Sequence, residues 1–220
     1  MIRRVGVLLS GCGLYDGSEV QETAMILLAL DRAGALVEAL APDRPQLDVV
    51  DHSSTRVAEG ESRNVLKESC RVVRGRVTPI DQARPEMLDA LFLPGGYGAA
   101  KNWLSGFAEP GRGREPLPEV RSLLAHFLER RKPIGAVSLP QTLLSAMTGE
   151  PLREDPFSLP AAGVCVDEER NIVITPGFLA SDRLSEVAAG IEKMVDEVLA
   201  RAIPAKGKEG RAGIQGKTGR

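Results

Sequence analysis

Residues 132–144 have the sequence Lys-Pro-Ile-Gly-Ala-Val-Ser-Leu-Pro-Gln-Thr-Leu-Leu, and this stretch decides the fold. Residues 134–137 predict a short buried strand, and residues 139–147 predict a helix. Ser138 lies at the junction, where a sharp strand-to-helix turn would hold its side chain over the end of a sheet. This layout is typical of a nucleophile elbow, so Ser138 is a candidate reactive residue.

The same stretch has a second interpretation, in which Ser138 is only a helix cap. The order Ser-Leu-Pro-Gln places Gln141 at the third helical position after the serine, which is the pattern of a capping box. Serine is also a favoured N-cap residue. The spacing by itself favours the helix-cap interpretation. A catalytic function depends largely on whether the nucleophile-elbow interpretation is the correct one.

Alternating strand and helix patterns surround this stretch. Apolar runs bounded by glycine or proline predict strands, and apolar stripes at helical spacing predict helices. The series implies one doubly wound α/β domain over residues 1–200, with a mainly parallel sheet and helices on both faces. The predicted strands are 5–9, 36–40, 76–80, 88–93, 134–137 and the hairpin 164–166 with 172–174, and the predicted helices are 18–33, 61–73, 120–131, 139–147 and 181–200.

The composition narrows the classes of partner. The 220-residue chain has a formal net charge of −2 and 4% aromatic residues, so neither nucleic acid nor a membrane surface is an expected partner. The apolar run at residues 24–30 is far shorter than the roughly 20 residues of a membrane span. Residues 201–220 lack apolar periodicity and are rich in glycine and basic residues, so we expect a disordered basic tail there.

The cysteine and histidine content bears on the compartment and the chemistry. Cys12, Cys70 and Cys165 share no metal-ligand spacing and are odd in number, which indicates a reducing compartment, no disulfide framework and no metal. The apolar stretch before Cys12 is too short for a signal peptide, so we expect a cytoplasmic protein. The two histidines, His52 and His126, are expected in polar or solvated positions, where neither is an obvious catalytic base.

Three loops follow predicted strands at the carboxyl edge of the sheet, where ligands bind in such folds. The first, residues 10–18, contains Gly11 and Gly13 and opens a helix, which partly matches a dinucleotide fingerprint with Glu38 as the ribose acid. The third glycine position holds Asp16, and carboxylates at a helix N-terminus would repel a pyrophosphate. Dinucleotide binding is therefore the weakest interpretation.

Two glutamates, Glu19 and Glu22, lie in the first helical turn after this loop. Glu19 has two interpretations. It is either a carboxylate held near the reactive centre or an acid that complements the helix dipole, a contribution of about 0.3–1 kcal/mol. The sequence alone favours the dipole.

The second loop, residues 94–102, is Pro-Gly-Gly-Tyr-Gly-Ala-Ala-Lys-Asn and follows a buried strand. Its glycines allow backbone amides to point at a ligand oxygen, as an oxyanion hole requires. They equally fit a turn that needs positive φ angles. Three glycines in four residues, followed by Lys101 and Asn102, leave the two interpretations balanced.

Five stretches in chain order carry a family resemblance: Ser-Gly-Cys-Gly-Leu-Tyr-Asp-Gly-Ser-Glu (10–19), Arg-Asn-Val-Leu (63–66), Leu-Pro-Gly-Gly-Tyr-Gly-Ala-Ala-Lys-Asn (93–102), Lys-Pro-Ile-Gly (132–135) and Asn-Ile-Val-Ile-Thr-Pro (171–176). Together they resemble the ElbB glyoxalases, once called sigma cross-reacting proteins. That family belongs to the ThiJ/PfpI, class I glutamine amidotransferase-like superfamily. The resemblance spans roughly residues 2–200.

The resemblance implies a flavodoxin-like sheet, a homodimer and a reactive residue at the elbow. Family glyoxalases convert methylglyoxal or glyoxal to a hydroxy acid without glutathione, metal or other cofactor, and a cysteine thiolate adds to the aldehyde. By this resemblance, Glu19 moves protons, and the backbone amides of Gly95, Gly96 and Leu139 hold the developing oxyanion. Asn102 is placed with them as a substrate-binding residue.

This sequence departs from the family in two ways. At the elbow, Ser138 stands in place of cysteine, and the segment of residues 149–164 is shorter than the corresponding segment of the family. A thiol can be lowered to a thiolate by its surroundings, whereas a serine hydroxyl needs an adjacent base. Glu19 is the only base that the pattern offers, and Cys12 is a candidate substitute thiol. Two functions remain open: a glyoxalase-like or related small-carbonyl enzyme, or a non-catalytic relative that binds a metabolite or a protein partner.

Overall fold

The computed structural model describes residues 2–106, 115–150 and 158–202. In these ranges one large sheet has seven strands: β1 (Arg4–Leu8), β2 (Leu36–Ala41), β3 (Thr78–Pro79), β4 (Ala90–Leu93), β5 (Ile134–Val137), β6 (Cys165–Asp167) and β7 (Ile172–Thr175). Their spatial order is β6–β7–β5–β4–β1–β2–β3. All neighbours are parallel except β6 and β7, which form the predicted hairpin.

Six α-helices of the described chain cover this sheet: α1 (Val20–Arg32), α2 (Val65–Val72), α3 (Tyr97–Trp103), α4 (Pro118–Glu129), α5 (Pro140–Thr148) and α6 (Leu184–Arg201). Helices α1, α2 and α6 pack on one face and bury Ile26, Val65 and Ile191. Helices α3, α4 and α5 pack on the other face and bury Trp103, Leu124 and Leu143. The predicted doubly wound, flavodoxin-like α/β fold is confirmed.

Strand β4 shows why both faces of the sheet must be covered. All four of its residues are fully buried. Ala90 and Phe92 belong to the core under α1, α2 and α6, whereas Leu91 and Leu93 belong to the core under α3, α4 and α5. Successive side chains of a strand point to opposite faces, and each large one contributes about 1.5–3 kcal/mol when buried. A continuous apolar run therefore requires a helix layer on each side.

Helix α3 is the main departure from the sequence prediction. Residues 94–102 predict a loop, because glycine disfavours helix, yet the chain is helical from Tyr97. Gly98 lets this helix pack directly on the loop of residues 10–18, since a Cβ there would overlap the backbone of Gly17. Trp103 is fully buried at the other end of the helix. Tertiary packing overrides the local preference.

Smaller differences concern element boundaries. Helix α2 begins at Val65, four residues later than predicted, because the Asn64 side chain caps it by accepting the Lys67 N–H at 2.9 Å. The strand predicted at residues 76–80 shrinks to the two residues of β3. Cys70 of α2 packs against the core under α1, α2 and α6.

The predicted tail begins inside a helix. Arg201 is the last residue of α6, and Ala202 after it is buried. The rest of residues 201–220 lies outside the described residues, as do parts of the loops before α4 and after α5. Among the described helices, none combines the length and apolar character that crossing a membrane requires.

Candidate active site

Ser138 forms a sharp elbow between β5 and α5. Its φ angle is 65°, in the left-handed region, which costs a non-glycine residue about 1–2 kcal/mol. The Ser138 N–H donates to the Thr175 carbonyl at 3.0 Å, which extends the pairing of β5 with β7 into the turn. The side chain is buried, with the residue 5% exposed. The surrounding sheet therefore holds the serine in a strained conformation.

The capping-box interpretation of Ser138 is wrong. Helix α5 begins at Pro140, its N-cap position is Leu139, and no side chain caps it. An N-cap residue has an extended backbone, which the φ angle of Ser138 excludes. The Ser138 hydroxyl instead lies 3.2 Å from the Pro176 carbonyl oxygen and 3.4 Å from Glu22 Oε1. Its single proton can be donated to one of these acceptors at a time.

Glu22 is the acidic partner of Ser138. It lies in the first turn of α1 and is 1% exposed. Oε2 accepts the Gly95 N–H at 3.0 Å, and Oε1 accepts the Phe178 N–H at 3.2 Å. Burial raises the pKa of the Glu22 carboxyl to about 7 against the opposing effect of these amides, and the charge of Glu19 also raises it. At neutral pH this group can both give and take a proton.

Two glycines make room for the Glu22 carboxyl. A Cβ at Gly95 would overlap Glu22 Oε2 and come within 2.8 Å of Ser138 Cβ. A Cβ at Gly177, which has a φ angle of 59°, would overlap Glu22 Oε1. The chain segments after β4 and β7 can thus approach the carboxyl closely only because these residues lack side chains.

Glu19, the predicted acid/base residue, has a different position. It is the N-cap of α1, where its Oε2 accepts the Glu22 N–H at 2.5 Å and its own N–H donates to the Gly95 carbonyl at 2.8 Å. It lines the same cavity as Ser138, but the carboxyl in contact with the Ser138 hydroxyl belongs to Glu22. Sequence reasoning missed Glu22 as a site residue, although the acidic first turn of α1 was the signal that contained it.

The predicted oxyanion donors fall into two groups. The Gly95 N–H is occupied by Glu22 Oε2 and does not serve as a free donor. Gly96 and Leu139 both line the cavity, at the N-cap positions of α3 and α5. Neither of these two amides donates to another described residue. They are therefore the amides available to a ligand oxygen.

The cavity around Ser138 has a volume of about 300 Å³. This Ser138 cavity lies at the carboxyl edge of the sheet, as expected for the fold. Its walls combine apolar groups with carboxylates, and no histidine is among the described residues that line it. The lining side chains are Leu14, Tyr97, Leu139, Phe178 and Leu179 together with Glu19, Gln21, Glu22, Ser138 and Asp182.

Two predicted site residues lie elsewhere. Asn102 ties loops together: its amide donates to the Ser10 and Asp16 carbonyls at 2.8 and 2.9 Å and accepts the Leu47 N–H at 2.9 Å. Cys12 is not among the described residues that line the Ser138 cavity. Burial first, and the charge of Glu68 second, raise the pKa of its thiol, which disfavours the reactive thiolate.

The histidines also lie away from the described lining of the Ser138 cavity. His52 Nδ1 is 3.0 Å from the Val50 carbonyl, and Tyr15 N–H donates to its other ring nitrogen at 3.4 Å. His126 is half-buried on α4 instead of solvated, and burial lowers its pKa. Within the described ranges, no three histidine, cysteine or acidic side chains are grouped so as to hold a metal ion.

Curated relatives match most of the chain, whereas no protein-family model matches it. The human glutamine amidotransferase-like class 1 domain-containing protein 3, mitochondrial, is 38% identical over 221 residues, which cover 89% of this chain and 82% of the relative. The rat ES1 protein homolog, mitochondrial, is also 38% identical, over 89% of this chain and 83% of its own length.

A solved structure has the same fold as this chain, and the structural similarity is high although the sequence identity is moderate. It is an isoprenoid biosynthesis protein with an amidotransferase-like domain from Ehrlichia chaffeensis. The two share 32% sequence identity and a TM-score of 0.83, over 90% of this chain and 99% of the other.

The prediction of a cytoplasmic protein is wrong. The curated relatives from human and rat are both mitochondrial by name, and this finding contradicts the cytoplasmic assignment. The prediction rested on unpaired cysteines and on an apolar stretch too short for a secretory signal peptide. Both argue only against an oxidising, secreted environment, and neither separates one reducing compartment from another.

Proposed function

Because this chain belongs to the family of glutamine amidotransferase-like class 1 domain and ES1 proteins, we propose that its Ser138 cavity converts a small carbonyl compound, in the glyoxalase manner that the ElbB resemblance implies. One observation carries the proposal. The Ser138 hydroxyl lies 3.4 Å from a buried carboxyl, Glu22, whose pKa is raised to about 7. A group with a pKa near the working pH is the most effective proton-transfer catalyst.

The first step is addition of Ser138 Oγ to the aldehyde carbon of a 1,2-dicarbonyl compound. Glu22 accepts the hydroxyl proton as the carbon–oxygen bond forms. The amides of Gly96 and Leu139 stabilise the oxyanion that develops on the former aldehyde oxygen. Glu22 replaces Glu19 as the acid/base residue of the original hypothesis, because it is the carboxyl within reach of the hydroxyl.

The second step moves a proton between neighbouring carbons. Glu22 first returns its proton to the former aldehyde oxygen and then removes the C1 proton of the adduct, which leaves an enediolate. Glu22 delivers that proton to C2, and transfer of the C1 hydroxyl proton to the C2 oxygen gives a 2-hydroxy ester on Ser138. Water then hydrolyses the ester, which releases the 2-hydroxy acid and restores the hydroxyl. The oxidation of C1 balances the reduction of C2, so the reaction needs no redox cofactor. The hydrolysis consumes one water molecule.

A second candidate is a binding protein without catalysis. The observation that favours it is that the elbow residue is a serine and that no histidine is among the described residues of the cavity. A serine hydroxyl needs an adjacent base to react, and histidine is the side chain that most often supplies it. The cavity would then bind a metabolite through the same amides and apolar walls.

Methylglyoxal consumption by four proteins separates these functions: the wild type, Ser138→Ala, Ser138→Cys and Glu22→Gln. For the enzyme we expect turnover in the wild type and loss of it in Ser138→Ala and Glu22→Gln. Equal rates for wild type and Ser138→Ala reject the serine nucleophile. Activity in Ser138→Cys alone supports the binding protein, because it shows a complete cavity that lacks only its reactive thiol.

A further inference from the structure

The Ser138 cavity carries unbalanced negative charge. Glu19, Glu22 and Asp182 line it, and none of its described lining residues is lysine, arginine or histidine. Burial raises the pKa of Glu22 to about 7, so this carboxyl is partly neutral at physiological pH. The charge that a ligand meets therefore comes mainly from Glu19 at the wall and from the exposed Asp182.

Glu19 also has an unused acceptor. The residue is 9% exposed, and its Oε2 accepts the Glu22 N–H. Its Oε1 accepts no hydrogen bond from any described residue. This oxygen is not one of the fully buried unpaired atoms of the described residues, and Glu19 lines the cavity, so a cationic donor of a ligand can reach it.

The remaining walls suit the carbon part of a small cation. Phe178 and the half-exposed Tyr97 supply aromatic surface beside the carboxylates. Tyr97 stacks on Tyr15 with ring centroids 6.0 Å apart and planes inclined by 15°, and Tyr15 contacts the His52 ring at 5.2 Å. These contacts hold the Tyr97 ring in place, and an aromatic face attracts cationic groups.

We propose that the cavity selects small carbonyl compounds that carry a cationic nitrogen group, and that it discriminates against carboxylate- or phosphate-bearing analogues. This selectivity rests on the proposed function, in which Ser138 reacts with the carbonyl. Glu19 and Asp182 hold the cation, while the apolar walls exclude water from the carbon skeleton. Neutral dicarbonyls enter the cavity but lack the charge interaction.

Three isosteric probes test the selectivity without any reaction: benzamidine, benzamide and benzoate, with charges of +1, 0 and −1. Isothermal titration of the full chain at low salt is expected to show benzamidine binding about tenfold more tightly than benzamide, as hydrogen bonds between charged groups allow. Benzoate is expected to bind most weakly. Glu19→Gln and Asp182→Asn should each reduce the benzamidine preference, whereas Asp31→Asn, an exposed acid on α1 outside the described lining, should leave it unchanged.

Several results overturn the proposal: equal affinity for the three probes, tighter binding of benzoate, no binding of any probe, or a preference that survives Glu19→Gln combined with Asp182→Asn. Ser138→Ala keeps this test separate from the proposed function. That variant should lose carbonyl turnover and retain the benzamidine preference. A preference found in a protein without turnover rejects the activity alone, and turnover without the preference rejects the cation selectivity alone.

Discussion

Ser138 Oγ lies 3.4 Å from Glu22 Oε1, although 116 positions separate the two residues along the chain. The parallel sheet brings them together, because β4 lies between β1 and β5. The helix after β1 and the elbow after β5 therefore meet above the end of β4. Gly95 at that end contacts the Glu22 carboxyl through its amide and leaves room for the serine.

Glu22→Gln is expected to lower carbonyl turnover about 100-fold or more, the usual contribution of general acid–base catalysis. The glutamine keeps the size of the side chain but cannot transfer the proton. In the wild type, the base form of Glu22 is populated as pH rises through about 7, so the rate should rise over that range. Rates of methylglyoxal consumption between pH 5.5 and 8.5 measure both effects, and an unchanged profile in the variant would exclude Glu22 as the base.

Glu19→Gln is expected to shift this pH profile to lower pH. The Glu19 charge is one cause of the raised Glu22 pKa, so its removal should let Glu22 ionise at lower pH. Glutamine still has an oxygen that can cap α1. The same rate measurements, with Asp31→Asn as the control on α1, provide the check. A profile that stays in place would show that Glu19 does not influence Glu22.

Glu22 should also make stability depend on pH. Its folded-state pKa of about 7 lies above the reference value of 4.5, so the folded state binds more protons between these values and the free energy of unfolding falls as pH rises. The full effect is about 3 kcal/mol. Denaturant unfolding of the wild type and Glu22→Gln at pH 4.5 and pH 8 measures it. The variant lacks this titration, so its stability relative to the wild type should increase at pH 8, and a constant difference would contradict the raised pKa.

Gly177→Ala is expected to destabilise the protein and displace the Glu22 carboxyl. Gly34→Ala is the matched control, because Gly34 also has a positive φ angle, 69°, but open space where a Cβ would lie. In the control, the free energy of unfolding should fall only by the cost of placing alanine in a left-handed conformation, about 1–2 kcal/mol. Gly177→Ala should lower the free energy of unfolding by more than this and should also abolish turnover. Denaturant unfolding and methylglyoxal rates distinguish the two, and equal losses would argue against close packing on Glu22.

Asn102→Ala is expected to cost stability without removing a group from the Ser138 cavity. The substitution leaves the Leu47 N–H and the Ser10 and Asp16 carbonyls without this partner, and a buried unpaired group costs about 1–3 kcal/mol. Asn64→Ala removes a half-buried helix cap and should cost only about 1 kcal/mol. Thermal or denaturant unfolding compares the two. If Asn102→Ala is the milder change, the amide does not hold the loops together.

The strands and most helices could be predicted because burial on both faces of the sheet requires apolar residues at regular spacing within each segment. The fully apolar runs of β4 and β5 and the stripes of α1, α4 and α6 are visible at their own periods. The sequence of helix α3 shows no helical pattern, because Gly96 and Gly98 are required for close contact with the backbone of Gly17. The strand ends indicated Ser138 and Gly96 as candidate site residues, and the family resemblance indicated Leu139. The contacts of Glu22 and Asn102 depend on which loops become neighbours.

By itself, the sequence determined the alternation of strands and helices, the loops that follow the strands and the serine at the junction of residues 134–147. Those features depend on side-chain polarity and spacing along a single segment. Only the tertiary structure decided that Ser138 adopts a left-handed elbow, that its carboxyl partner is Glu22 and that Gly95 donates to that carboxyl. Each of these results from contacts between distant segments, and burial among them is what moves the Glu22 pKa into the neutral range.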